Sequence, residues 1–139
     1  MTQESQESSQ YSIASFAIIY NDLGAVLLSL RRDRDTWNLP GGRLERGELP
    51  NETVQREVKE ETGLEVAIEK LTGVYAQQDK YELVFVFICK IVAGQLTPSD
   101  EASQHQFYPI DSLPKNTIEY HIDKILDAKK TDQQPIFSR

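Results

Sequence analysis

Cysteine, histidine and long apolar runs are all scarce in this chain, and each scarcity excludes a class of protein. A single cysteine, Cys89, excludes an intramolecular disulfide framework. The two histidines, His105 and His121, lie far apart and offer no zinc-ligand spacing. The longest apolar run, Leu83 to Cys89, has seven residues, whereas a membrane-spanning helix needs about 20. We therefore expect a globular protein without disulfides or membrane segments.

Length and charge narrow the class further. The chain has 139 residues, which is the size of one domain. It carries 15 Lys plus Arg against 22 Asp plus Glu, a formal net charge of −7. This acidic balance argues against non-specific binding to nucleic acid, so no stable nucleic-acid complex is expected. The start, MTQESQESSQ, lacks the basic and apolar regions of a secretory signal, and a cytoplasmic location is expected.

The order of polar and apolar segments predicts one domain between two tails. Residues 1–10 are polar and of low complexity, so we expect a disordered tail. Residues 11–129 contain the strand and helix patterns and form the predicted domain. Residues 130–139 follow the last helical pattern and are predicted to be a C-terminal tail.

Within the domain, four segments indicate the fold class. Residues 11–30 predict a hairpin around the turn at Asn21 to Gly24. Pro50 and Gly63 suit the first turn and the C-terminal end of a helix. Residues 81–92 form a continuous apolar strand, typical of burial on both faces, and a last helix is predicted from Asn116. Strands flanking a helix and closed by another predict a layered α/β domain.

Arginine is concentrated in one part of the chain. Six of the seven arginines lie between residues 31 and 56. The planar guanidinium donates paired hydrogen bonds, which suits it to phosphate. The alternative is a strand edge and loop kept in solution by their charge, and composition leaves both interpretations open.

Three glutamates share one side of the predicted helix. With about 100° per residue, Glu57, Glu60 and Glu61 fall within an arc of about 100° beside the apolar residues Val54 and Val58. Like charges at this spacing repel, more strongly when they are partly buried. A divalent cation such as Mg²⁺ or Mn²⁺ would turn that repulsion into affinity. The geometry alone leaves two possibilities, a metal site and a solvated acidic face.

The segment around these glutamates resembles the signature of the Nudix (MutT-like) hydrolase family. That signature fixes a glycine, a glutamate, an Arg-Glu pair, a Glu-Glu pair and a closing glycine at set spacings. Nine positions of this sequence match it: Gly42, Glu48, Arg56, Glu57, Val58, Glu60, Glu61, Gly63 and Leu64. The lead-in Trp37 to Gly42 and the segment Glu101 to Pro114 also look like the family, and the resemblance extends over about residues 11–128.

The resemblance implies a fold and an activity. The fold is an α/β/α sandwich with a mixed sheet. The activity is Mg²⁺-dependent hydrolysis of a nucleoside diphosphate linked to another moiety, with a small nucleotide as substrate. Nucleoside and deoxynucleoside triphosphates come first, then nucleotide sugars or ADP-ribose, then dinucleoside polyphosphates. The alternative is a Nudix-fold nucleotide sensor without catalysis. Many relatives are dimers, so a homodimer stays open.

The resemblance also implies the metal ligands. Glu57, Glu60 and Glu61 would bind Mg²⁺ or Mn²⁺, and the backbone carbonyl of Gly41 would complete the set. These are hard oxygen ligands, the type that Mg²⁺ prefers. Glu57 would act as the base or hold the attacking water. Glu101 from the later segment is the other candidate base, at a place where an acid binds metal in some relatives, and its alternative is a solvated turn residue.

Further residues of the signature have supporting roles by the same resemblance. Arg56 would orient Glu57, with a helix-surface pair to Glu52 or Glu60 as its alternative. Glu48 would brace the loop. Two glycines would permit tight backbone turns, namely Gly42 and Gly63.

Three arginines near the signature are candidates to reach substrate phosphate, namely Arg32, Arg43 and Arg46. Arg32, at the end of the second predicted strand, is the first to test. We expect Arg32→Ala to raise KM more than it lowers kcat if the guanidinium contacts phosphate.

Overall fold

The computed structural model describes residues 10–130 and 134–139. Nearly all of the predicted N-terminal tail, residues 1–9, therefore lies outside the described residues. The helices and strands follow one another in the order β1 Ser12–Ile19, β2 Val26–Arg31, β3 Trp37–Asn38, β4 Gly41–Arg43, α1 Pro50–Thr62, β5 Leu64–Gln77, β6 Glu82–Gly94, β7 Ala102–Tyr108, α2 Glu119–Lys130 and β8 Ile136–Ser138.

The strands form two sheets. The larger sheet has the order β4-β1-β6-β5-β8, and the smaller has the order β3-β2-β7. Strand β1 runs parallel to β6 and antiparallel to β4, so the larger sheet is mixed. The apolar strand β6 lies between β1 and β5; its first part is largely buried, whereas residues 90–94 are exposed.

Successive residues of β1 pack against different helices. Ala17 belongs to a core cluster with Val54 and Val58 of α1. Its neighbour Ile18 belongs to a second cluster with Ile125 of α2. Successive side chains of a strand point to opposite faces, so the two helices cover opposite faces of the sheet. The predicted α/β/α sandwich with a mixed sheet is confirmed.

The predicted hairpin over residues 11–30 is wrong. Strands β1 and β2 belong to different sheets, and their pairing is limited to an isolated bridge between Tyr20 and Val26 beside the turn. The reason is competition for the edges of β1. Residues 12–19 pair with residues 82–89 of β6 on one side, and β4 takes the other.

Two predictions near the C-terminus also need correction. Ile136–Ser138, part of the predicted tail 130–139, forms a strand parallel to β5. Helix α2 begins at Glu119 rather than after Asn116, because the backbone of residues 116–118 pairs with Trp37: the Asn116 carbonyl accepts from the Trp37 N–H, and the Ile118 N–H donates to the Trp37 carbonyl. Within residues 10–130 and 134–139, no helix is long and apolar enough to cross a membrane.

Candidate active site

Helix α1 holds the site because both of its ends are fixed by local sequence. Pro50 occupies the first turn, and the Glu52 carboxylate accepts a hydrogen bond from the Leu49 N–H at 2.9 Å. Gly63 ends the helix with φ of +84°, a left-handed conformation that favours glycine. Val54 and Val58 are fully buried under the sheet. This anchoring fixes the rotation of the helix and directs the neighbouring glutamates toward β4.

Two glycines of β4 bring its backbone close to the helix glutamates. The Gly41 N–H donates a hydrogen bond to Oε2 of Glu61, with a distance of 3.4 Å between the nitrogen and the oxygen. A methyl group added at Gly42 would overlap the carboxyl group of Glu57. The absence of a side chain at Gly42 therefore makes room for the Glu57 carboxylate.

Three carboxylates converge beside these glycines. One carboxylate oxygen from each of Glu57, Glu61 and Glu101 lies within 4.8 Å of the other two. Glu57 and Glu61 come from α1, one turn apart, whereas Glu101 comes from the turn that precedes β7. Glu61 is buried, Glu57 is partly buried and Glu101 is exposed. Helix α1 and the turn before β7, which are distant in sequence, thus form one acidic cluster that extends from the buried Glu61 to the exposed Glu101.

Burial and mutual repulsion weaken the acidity of Glu57 and Glu61, the two helix members of this cluster. The pKa of Glu61 is raised to about 8, chiefly by desolvation; the Gly41 N–H opposes the shift, and the neighbouring Glu101 and Glu57 add to it. Burial also raises the pKa of Glu57, with Arg56 opposing the shift. A raised carboxyl pKa means that the surroundings disfavour the negatively charged form of the group. The cluster is therefore suited to a partner that supplies positive charge.

Arg56 links the helix to the loop before it. Its Nε and Nη2 donate to Glu48 at 2.6 and 3.0 Å, and its Nη1 donates to Oε1 of Glu57 at 2.8 Å. Its Nη2 also donates to the backbone carbonyl of Arg43 at 3.1 Å. Hydrogen bonding to this guanidinium lowers the pKa of Glu48 to about 2. One rigid fork thus fixes both the loop and the Glu57 side chain.

The family model of the NUDIX domain matches residues 10–128, nearly the whole chain. The chain belongs to the Nudix family. Nudix hydrolases act on phosphoric anhydride bonds, and this chain is an enzyme of that class. The resemblance carried by the nine signature positions is confirmed.

Relatives and solved structures agree with this assignment. The chain is 34% identical over 126 residues to a MutT-like protein of Streptomyces ambofaciens, covering 91% of this chain and 82% of that protein. It is 34% identical over 110 residues to an ADP-ribose pyrophosphatase of Methanocaldococcus jannaschii, covering 75% of this chain and 65% of that protein. A crystal structure of UDP-X diphosphatase superposes with a TM-score of 0.79 at 27% identity, covering 99% of this chain and 75% of that one.

Not every glutamate of the Nudix signature lies in the cluster. Glu60 is about half exposed, at 53%, and accepts a hydrogen bond from Nη1 of Arg56 at 3.1 Å. It lies outside the group formed by Glu57, Glu61 and Glu101. The Arg56–Glu60 pair considered for the sequence therefore exists, but alongside the contacts to Glu48 and Glu57 rather than instead of them.

The three candidate arginines occupy different places around the Nudix site. Arg32 donates from Nε to the backbone carbonyl of Ser99 at 2.7 Å. Arg43 is 77% exposed, and its Nε lies 3.8 Å from a carboxylate oxygen of Glu82. Arg46 is exposed in the loop between β4 and α1. Of the three, only Arg32 contacts the turn that carries a member of the carboxylate cluster.

A further contact chain behind the cluster is not evident in the sequence. The Ser29 hydroxyl lies 2.7 Å from Nδ1 of His105, and Nε2 of His105 lies 2.7 Å from the backbone carbonyl of Thr97. Since a carbonyl only accepts, Nε2 carries the proton and Nδ1 accepts from Ser29. The Thr97 N–H in turn donates to the Thr62 carbonyl. This chain ties β2 and β7 to the end of α1, and His105 is therefore a structural residue.

Proposed function

We propose that this Nudix hydrolase cleaves a nucleoside diphosphate linked to another moiety, with Mg²⁺ or Mn²⁺ held at the carboxylate cluster. The convergence of Glu57, Glu61 and Glu101 within 4.8 Å carries this proposal. Repulsion among three adjoining carboxylates opposes folding unless a cation joins them. A family of anhydride hydrolases supplies the chemical use for such a cation.

The donor set fits a hard divalent cation. Carboxylate oxygens suit Mg²⁺ and Mn²⁺, and the buried Glu61, with its pKa raised to about 8, is the group that a cation would stabilise most. Glu57, Glu61 and Glu101 are the proposed ligands, with Glu60 and the Gly41 carbonyl as further ligands implied by the family resemblance. When bound, the ion lowers the pKa of water and neutralises phosphate charge.

Within this site we assign the proton transfer to Glu57. Its Oε1 accepts a hydrogen bond from Arg56, and its Oε2 occupies the space that a side chain at Gly42 would fill. Arg56 thereby fixes the carboxylate, and Oε2 is the atom proposed to take a proton from the attacking water. Glu101 is the alternative acceptor, and pH–rate profiles of Glu57→Gln and Glu101→Gln distinguish the two.

Three substrate groups follow from the family and the relatives. Nucleoside triphosphates are the first expectation from sequence. ADP-ribose is named for the Methanocaldococcus relative, and a UDP derivative is named for the structural neighbour. Each contains a diphosphate bound to a nucleoside, the linkage that the carboxylate cluster is proposed to serve. A sensor without catalysis is disfavoured because all three signature glutamates are present, Glu57, Glu60 and Glu61.

The test is a substrate panel followed by one substitution. The full chain is incubated with a nucleoside triphosphate, ADP-ribose, a UDP-sugar and a dinucleoside polyphosphate, with Mg²⁺ and with EDTA, and products are separated by chromatography. At least one substrate should be hydrolysed only with Mg²⁺. Glu57→Gln should lower kcat by orders of magnitude, with Glu69→Gln, an exposed glutamate of β5, as control. Binding of nucleotides without hydrolysis of any would favour the sensor instead.

A further inference from the structure

The position of Glu101 depends on a turn rather than on helix α1. Glu57 and Glu61 are held by a 13-residue helix with buried valines, whereas Glu101 is exposed and precedes β7 by one residue. Its carboxylate nevertheless lies within 4.8 Å of both helix carboxylates. Something outside α1 must therefore fix the turn at 99–102.

Ser99 closes this turn from within. Its N–H donates to the carbonyl of Ala102 at 2.9 Å. Its hydroxyl accepts from the N–H groups of Glu101 and Ala102 at 3.3 and 3.2 Å. A serine that bonds backbone groups two and three residues ahead is a local turn motif. These bonds shape the turn and join it to Ala102, the first residue of β7, but none of them reaches β2.

Arg32 attaches the turn to the end of β2. Its backbone N–H donates to the Glu101 carbonyl at 3.0 Å, and its guanidinium Nε donates to the Ser99 carbonyl at 2.7 Å. The same residue therefore bonds both Ser99 and Glu101. The ladder between β2 and β7 shifts register between Leu30 and Arg31 and resumes with Arg31 opposite Ala102. The backbone bond of Arg32 continues this pairing to Glu101, and the guanidinium adds a second attachment at Ser99.

We propose that Arg32 is a positioning residue that places the Glu101 carboxylate in the cluster through the Ser99 carbonyl. This inference rests on the proposed function, in which Glu101 helps to hold the cation. It replaces the expectation that Arg32 contacts substrate phosphate. A charge-assisted bond to the Ser99 carbonyl restrains the turn, and outer contacts of this kind commonly alter metal affinity or activity by about 10- to 100-fold when removed.

The test is a double-mutant cycle on Mn²⁺ binding, read by electron paramagnetic resonance on the full chain without substrate. Arg32→Ala should weaken Mn²⁺ binding about 10-fold, and Glu101→Gln should weaken it at least as much. The double variant should bind Mn²⁺ as Glu101→Gln does, because a residue that acts only through Glu101 has no effect once that ligand is gone. Arg34→Ala, an exposed arginine two positions on, should bind as the wild type does.

Kinetics at saturating Mn²⁺ separate positioning from substrate contact. With the metal site filled, Arg32→Ala should keep the KM of the wild type. Additive losses in the cycle, an unchanged Mn²⁺ affinity in Arg32→Ala or in Glu101→Gln, or a raised KM at saturating Mn²⁺ would each overturn the proposal. The proposed function is tested independently, since it fails when Glu57→Gln hydrolyses substrate as fast as the wild type.

Discussion

Arg56 and Glu48 form a two-point contact, with Nε and Nη2 of the guanidinium 2.6 and 3.0 Å from the two carboxylate oxygens. The same guanidinium donates to Glu57 through Nη1. The loop before α1 and the Glu57 carboxylate are therefore fixed by one planar group. Such a contact cannot be reproduced by an ammonium, which carries the same charge without the fork.

Arg56→Lys is expected to fold but to lose most of its activity. A lysine at this position keeps the positive charge but cannot bond Glu48 at two points and Glu57 together. We expect kcat to fall by about 10- to 100-fold, the usual effect of losing a contact that orients a ligand. Steady-state kinetics with Mg²⁺ measure the change, and Arg34→Lys is the control. Equal kcat values for Arg56→Lys and the wild type would show that charge alone suffices.

Gly42→Ala should separate activity from stability. The added methyl group would overlap the end of the Glu57 side chain, and a side-chain end can move without unfolding the backbone. We expect kcat to fall at least about 10-fold because Glu57 is displaced by more than the tolerance of a preorganised site. Thermal unfolding should shift by only a few degrees. A large loss of thermal stability with normal kcat would contradict this steric explanation.

The local parts of the fold were predictable because their signals are local. Pro50 and Gly63 bound helix α1 as their backbone preferences require. The pairing of Ile136–Ser138 with β5 joins residues about 60 positions apart, and nothing in the short segment itself marks its partner. The failed hairpin has the same origin, since β1 pairs with the distant β6 instead of its neighbour in sequence.

Most of the candidate site, including the Arg56 contacts to Glu48 and Glu57, could be expected from the sequence, whereas Glu60 lies outside the cluster and the contact of Arg32 could not be expected. Glu57 and Glu61 share a helix face through their spacing, and Glu101 was indicated by the family resemblance. The contact of Arg32 had no sequence signal, because its acceptor is the backbone carbonyl of Ser99, a group that every residue has. Composition left phosphate binding and a solvated strand edge open for this arginine, and the fold places a carbonyl 2.7 Å from its Nε.

We expect the metal-free Glu61→Gln variant to be more stable than the metal-free wild type, by an amount that grows as pH rises. The folded state raises the pKa of Glu61 from its ordinary 4.5 to about 8. Between these values the folded protein keeps a proton that the unfolded chain has lost, so wild-type stability falls with rising pH. Glutamine has no proton to lose, and its oxygen can still accept from the Gly41 N–H.

Urea unfolding at pH 5, 7 and 8.5 in EDTA measures this difference. The unfolding free energy of Glu61→Gln minus that of the wild type should grow with pH, by at most about 1.4 kcal/mol per unit. Added Mg²⁺ should stabilise the wild type more than the variant. A difference that stays constant across this pH range would mean that Glu61 is not strained in the metal-free state.

The buried His121 should make the protein lose stability in mild acid. Its side chain is 1% exposed, and its Nδ1 accepts from the Leu39 N–H at 3.0 Å, so the neutral ring carries its proton on Nε2. The pKa of His121 is lowered from 6.5 to about 3, chiefly by burial and in smaller part by the nearby Lys124. Between these pKa values the unfolded chain binds a proton that the folded state excludes. The free energy of unfolding therefore falls as pH drops below 6.5, by about 1.4 kcal/mol per pH unit.

The variant His121→Asn keeps an acceptor for the Leu39 N–H without this titration. In urea unfolding at pH 7, 6, 5 and 4, its free energy of unfolding should decline less steeply with falling pH than that of the wild type. Parallel curves for the two proteins would assign the acid sensitivity to carboxylates instead.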